Sequence, residues 1–215
     1  MRKIELLAPA RNAETGIEAI KHGADAVYIG ASGFGARAAA VNAIEDIGRL
    51  AEFAHVFGAK VYVTLNTILY DSEIGEAERL ACSLCEAGAD AFIVQDAAYL
   101  SMSLPPVPFH ASTQMDNRTA AKVCRLYDEG FDTAVLAREL SLDEIRGIHA
   151  VKRKHGGKKR TDMAEKMDEN ITYMLAGCDR NSFIDIFMGK CVVFKDRGKN
   201  CFACYLDSAF GNVCP

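Results

Sequence analysis

In the stretch "PVPFHASTQMDN" (residues 106–117), His110, Ser112, Thr113 and Gln114 crowd into five positions directly after a short apolar run. Alternate side chains of a strand lie on one face. His110, Ser112 and Gln114 then share one face, and Ala111 and Thr113 share the other. Three polar groups aimed together from a strand end suit a pocket. The other reading is a capped strand end whose polar groups satisfy loop backbone. His110 beside Ser112 raises nucleophilic catalysis, but a nucleophilic serine also needs an oriented base, a third group and an oxyanion hole. No G-x-S-x-G elbow is present. The catalytic candidates are His110, Ser112, Gln114 and Glu139.

Other residues could bind rather than react. Arg138 precedes Glu139; its guanidinium would anchor a carboxylate or phosphate bidentately, with Glu139 as its ion-pair partner or as a base. Arg37, in "FGAR", is a second candidate anion clamp. Two arginines suit a small anionic substrate or RNA phosphates better than a neutral peptide. Glu5 falls in an apolar run, where an unpaired carboxylate would be costly, so an arginine across the fold is its expected partner. Asn66, Gln95 and Asp96 complete the substrate-binding set as hydrogen-bonding groups. No H-E-x-x-H motif exists, which excludes a standard zincin. Cys82 and Cys85 form a C-x-x-C on an apolar helical stripe, where free cysteine packs as a small hydrophobe. Cys201 and Cys204 form a second C-x-x-C. With Cys191 and Cys178 (or Cys214) they could make a four-thiolate site for zinc or an iron–sulfur cluster.

The elements that must hold these groups repeat along the first 150 residues. A helical pattern ends in glycine at 23, 58, 88 and 130, and an apolar run follows each within two or three residues. Glycine closes a helix in the left-handed conformation. Continuous apolar runs suit parallel strands covered on their faces. Six strands are predicted before residue 140, alternating with helices as βα units. No G-x-G-x-x-G follows the first strand, which argues against a dinucleotide-binding open sheet. Polar residues end nearly every strand, and a barrel would gather those ends at one mouth. The expected fold is α/β, a TIM-like (β/α) barrel, incomplete or irregularly closed, with a cysteine-rich C-terminal tail.

Residues 1–150 form the barrel portion with six strands. Residues 151–215 are a basic junction and a cysteine-rich segment. The junction, "VKRKHGGKKR", carries six Lys or Arg in ten positions, as a solvated linker or a phosphate contact would. Beyond it, "ITYMLAG" is a seventh strand and "CVVF" a weak eighth. The net charge of −4 advertises no broad basic surface. No stretch approaches the roughly 20 apolar residues of a membrane helix. The chain reads as a cytoplasmic protein that does not engage membranes.

The motifs "ELLAPA", "GADAVYIG", "FGARA", "KVYVTLNT", "FIVQD", "HASTQM" and "VLARELSLDEI" follow one another in that order between residue 4 and about residue 148. In that order they resemble the successive strand motifs of the collagenase-like peptidase family. The resemblance implies one of three activities. Some members are named as proteases. Others support hydroxylation of a tRNA uridine or a ribosomal RNA cytidine. Still others carry an iron–sulfur cluster and act in oxygen-independent ubiquinone hydroxylation. Past residue 150 the sequence departs from the family pattern. Cys178, Cys191, Cys201 and Cys204 do not reproduce its cysteine spacing, and the segment is a native ending, a fusion or a frame-shifted tail.

The expected function is therefore a family protein supporting pyrimidine hydroxylation in tRNA or rRNA. The alternatives are a true peptidase, using His110 and Ser112 or a metal, and a truncated, non-catalytic fragment. The expected partner is a small anionic substrate or RNA.

Overall fold

In a computed structural model, the described residues are 5–35 and 42–151, together with strand segments 171–175, 184–187 and 190–191. The six apolar runs become β1 Leu7–Ala10, β2 Ala26–Gly30, β3 Lys60–Leu65, β4 Ala91–Val94, β5 Phe109–Ala111 and β6 Thr133–Leu136. Each pairs in parallel with the next. β7 Ile171–Leu175 continues the parallel series beside β6. The helices α1 Ala13–Lys21, α2 Ile44–Val56, α3 Ile74–Glu86, α4 Ala120–Glu129 and α5 Leu142–Val151 separate the strands. Where β4 meets β5, a 3-10 turn at Ala97–Ser101 stands in place of an α-helix. The result is a half-barrel of parallel strands.

The eighth strand is a correction. β8 is Ile184–Phe187, antiparallel to β7, and β9 Lys190–Cys191 is antiparallel to β8. Of "CVVF" only Cys191 falls in a described strand. Antiparallel neighbours need only a short connection and no crossover helix, so β8 and β9 do not follow the helix-then-strand rhythm that locates the first six.

Two apolar layers hold the sheet. Val27, Ile29, Val61, Val63, Leu65, Phe92, Val94 and Leu136 pack outward against Ile47, Leu50, Ala54, Ala77, Ala81, Leu84, Val123 and Leu126 of the helices. Leu7, Ala26, Tyr28, Tyr62, Ala91 and Ile93 form a second cluster on the other face. Strand alternation separates the two sets.

The recurring glycine phrase does two jobs. Its glycine takes positive φ at all four positions, from 67° at Gly58 to 115° at Gly130. The residue after it returns its N–H to a carbonyl five back, as Ala24 to Ala19, Ala59 to Ala54, Ala89 to Leu84 and Phe131 to Leu126. That is the Schellman closure. Where an aspartate comes next, its carboxylate clips the start of the preceding strand. Asp25 accepts from the N–H of Leu6 at 2.7 Å, Asp90 from Val61 at 2.7 Å, and Asp132 from Phe109 at 3.1 Å. The fourth phrase has Lys60 in place of aspartate. The clips therefore join β1 to β2, β3 to β4 and β5 to β6, and skip the junctions between those pairs.

Candidate functional site

Tyr62 places His110. The two rings meet edge to face, with centroids 4.8 Å apart and planes at 74°. Tyr62 belongs to the inner cluster, so His110 faces the same side. The register sets Gly30 beside Thr64, Thr64 beside Ile93, Ile93 beside His110, and His110 beside Thr133. Asn66 and Gln95 are the first residues beyond β3 and β4. His110, Asn66 and Gln95 thus stand at the carboxyl ends of neighbouring strands, β5, β3 and β4. All three are half-buried. Burial pushes the His110 imidazole down to about 4, with a smaller contribution from the Lys60 ammonium. It is neutral at pH 7 and offers one donor and one acceptor.

Ser112 and Gln114 do not share His110's role. The strand ends at Ala111, and Ser112 begins a 3-10 turn over Thr113–Met115. The Ser112 hydroxyl accepts from the Gln114 N–H at 3.3 Å, and Ser112 is only 3% exposed. Among the described residues no hydrogen bond joins it to His110. The expectation that alternation carries through to Gln114 is corrected: the turn breaks it, and Gln114 is exposed.

Asp96 and Glu5 are spoken for. Asp96 Oδ2 accepts from the Leu69 N–H at 3.0 Å and Oδ1 from the Ala98 N–H at 2.9 Å, so it fixes two loops. Glu5 precedes β1 rather than lying within it, at the amino ends of the strands. Its partner is not an arginine: the Tyr62 hydroxyl donates to Glu5 Oε1 at 2.6 Å. Burial, and next the Glu5 carboxylate, hold the Tyr62 phenol well above its ordinary range. Arg138 and Glu139 follow β6, both exposed and not paired with each other among the described residues. Arg37, Cys178, Cys201 and Cys204 lie outside the described residues, as does the side chain of Cys191. Cys82 and Cys85 are half-buried on α3, and Cys85 packs on the core. Among the described residues no three His, Cys, Asp or Glu side chains are grouped to hold a metal ion. No described helix is long and apolar enough to cross a membrane.

Two asparagines missed by the sequence reading tie the strand ends together. Asn117 is fully buried. Its Nδ2 donates to the carbonyls of Ser112 and Val135, each at 2.8 Å, and to Ala111 at 3.3 Å. The Asn117 carbonyl accepts from the Ala137 N–H at 3.2 Å. This sets the end of β5 against the end of β6, while His110 itself lies level with Thr133, five residues before Arg138. Asn42 does the same for β1 and β2, donating to Arg11 at 3.1 Å and Gly30 at 2.8 Å. A lone asparagine in a loop carries no periodic or motif signal. Beside Asn117, Asp116 takes a left-handed conformation, φ 58°, and pairs with exposed Arg118 at 2.5 Å.

The family model for "Peptidase family U32" matches residues 11–164. The chain belongs to this family. Among curated members, it is 56% identical over 147 residues to the 23S rRNA 5-hydroxycytidine synthase of Escherichia coli, covering 68% of this chain and 22% of that protein. It is 38% identical over 148 residues to a collagenase of Porphyromonas gingivalis, covering 67% of this chain and 36% of that protein. It is 34% identical over 217 residues to tRNA hydroxylation protein P1 of Bacillus subtilis, covering 96% of this chain and 47% of that protein. The chain thus spans less than half the length of each. The first two matches have the length of the strand-and-helix portion. The third takes in much of the segment beyond residue 150, where the resemblance was expected to stop. The solved U32 peptidase Mk0906 shares the fold, with TM-score 0.58 at 13% identity over 73% of this chain and 67% of that one.

Proposed function

We propose that this chain is the base-recognising part of a protein that supports hydroxylation of a pyrimidine in ribosomal or transfer RNA. The observation that carries the reading is the 56% identity, over 147 residues, to a 23S rRNA 5-hydroxycytidine synthase. The geometry supports it. A neutral imidazole at His110 and two half-buried carboxamides at Asn66 and Gln95, all near the carboxyl ends of neighbouring strands, offer both donors and acceptors. An unstacked pyrimidine is read through such hydrogen bonds to its base edges. Arg138 at the rim suits a flanking phosphate, and Arg37 is proposed as a second such clamp. Glu139 is proposed as a base acting from the same rim. In the longer protein, the half-barrel is proposed to continue into a fuller (β/α) barrel. The C-terminal cysteines are proposed to be its metal or iron–sulfur ligands, and no step is assigned to them.

A peptidase reading has less to rest on. Ser112, the required nucleophile, is buried and its hydroxyl caps a turn. The test is mass spectrometry of nucleosides from total RNA, in cells lacking the gene and in cells given back this 215-residue chain. A hydroxylated pyrimidine that vanishes and returns supports the reading and shows that the chain suffices. If it vanishes and does not return, the role belongs to a longer protein. An unchanged nucleoside profile would sink the RNA reading.

A further inference from the structure

The loop between β3 and α3 displays two large apolar side chains beside the site. Ile68 is 66% exposed and Tyr70 75%. The backbone that carries them is tied at several points. Thr67 donates through Oγ1 to the Phe34 carbonyl at 3.1 Å. The Leu69 N–H donates to Asp96 at 3.0 Å. The Tyr70 N–H donates to Glu73 Oε2 at 2.9 Å, and the Glu73 N–H returns to the Tyr70 carbonyl at 2.8 Å. Leu69, between the two, packs against the main core. The bonds that fix Leu69 inward therefore leave its neighbours outward, against the ordinary tendency of apolar surface to leave water.

The loop sits at the carboxyl end of β3, two to four residues beyond Asn66, and its bond to Asp96 sets it beside the end of β4. Arg11 and Arg138, both exposed, follow β1 and β6 at this same end. A second exposed apolar pair, Val56 and Phe57, ends α2 just before the start of β3, at the amino ends of the strands, and takes no part.

We infer that Tyr70, with Ile68 on the same loop, is a shelf on which an unpaired nucleobase next to the target pyrimidine stacks. The inference rests on the RNA reading above. Every base has a flat face, so an aromatic ring accepts a neighbour of any sequence, while the half-buried polar groups select the target. A tethered backbone limits the ordering cost of that contact. The flanking phosphates fall to Arg11 and Arg138.

The test is fluorescence anisotropy of a fluorescein-labelled single-stranded RNA of about 12 nucleotides, a length that spans one typical single-strand site. It is titrated with the full 215-residue chain and with Tyr70→Ala, Tyr70→Phe and Arg138→Ala. Tyr70→Ala is expected to bind about tenfold more weakly, and Tyr70→Phe as tightly as the parent, because stacking uses the ring and not the hydroxyl. Melting temperatures of the variants should match the parent. If Tyr70→Ala binds like the parent while Arg138→Ala weakens, the shelf is wrong and the RNA reading stands. If Tyr70→Phe loses as much as Tyr70→Ala, the contact is a hydrogen bond and stacking is overturned. If the parent chain does not bind the RNA at all, the functional reading fails and the shelf with it.

Discussion

His110 carries an imidazole that the fold keeps neutral, and this has a pH signature. Its ordinary value near 6.5 is depressed to about 4 by burial. Between those values the unfolded chain binds a proton that the folded one refuses, so stability falls as pH drops from about 6.5 to 4. The whole effect is on the order of 3 kcal/mol. Melts of the parent and His110→Gln across that range should diverge, the variant being the flatter; parallel curves would show that His110 titrates normally. Asn117→Ala removes the donor to three carbonyls at the ends of β5 and β6 and should cost about 3 kcal/mol, read from the denaturant midpoint. The place of His110 near a strand end was legible because a polar residue ending an apolar run is a local signal. The departure of Ser112 and Gln114 from its face was not, because the turn that redirects them shows only as a serine before a polar residue. Asp96 read as a mouth group for the same reason: its position was right, but its two backbone donors come from a loop 27 residues away and from its own turn.

The clip on each strand pair is the element-scale counterpart. Asp25 and Asp90 are half-buried and accept at 2.7 Å. Asp132 is exposed and accepts at 3.1 Å. Asp25→Ala and Asp90→Ala should each cost about 2 kcal/mol and Asp132→Ala about 1 or less, by chemical denaturation. Equal losses at all three would mean that the aspartates act through something other than these bonds. The helices and the six strands could be read from the chain because glycine closures and continuous apolar runs are written within a few residues. The antiparallel turn of β8 onto β7 depends on which strand is free to accept a partner, a property of the assembled sheet. The aspartates were visible as a repeated phrase, but their partners are the strands before them, 19 to 29 residues earlier.

At the scale of the whole molecule, the proposed RNA role would make an acidic protein rely on contacts with bases more than on its net field. With a net charge of −4 and two exposed arginines flanking the site, affinity for a single strand should fall gently with salt. The expected slope is about −1.5 in log K against log salt, from roughly 0.7 per phosphate neutralised. A slope steeper than about −4 would point to the basic junction at residues 151–160 as the main contact. The alternate clipping of strands also gives the sheet seams. β1–β2, β3–β4 and β5–β6 are each stitched at the base by a carboxylate, while the β2–β3 and β4–β5 boundaries are not. Cleaved at a seam, such a sheet separates into units whose internal pairing is already secured, so two pieces cut there are the ones best placed to find each other again.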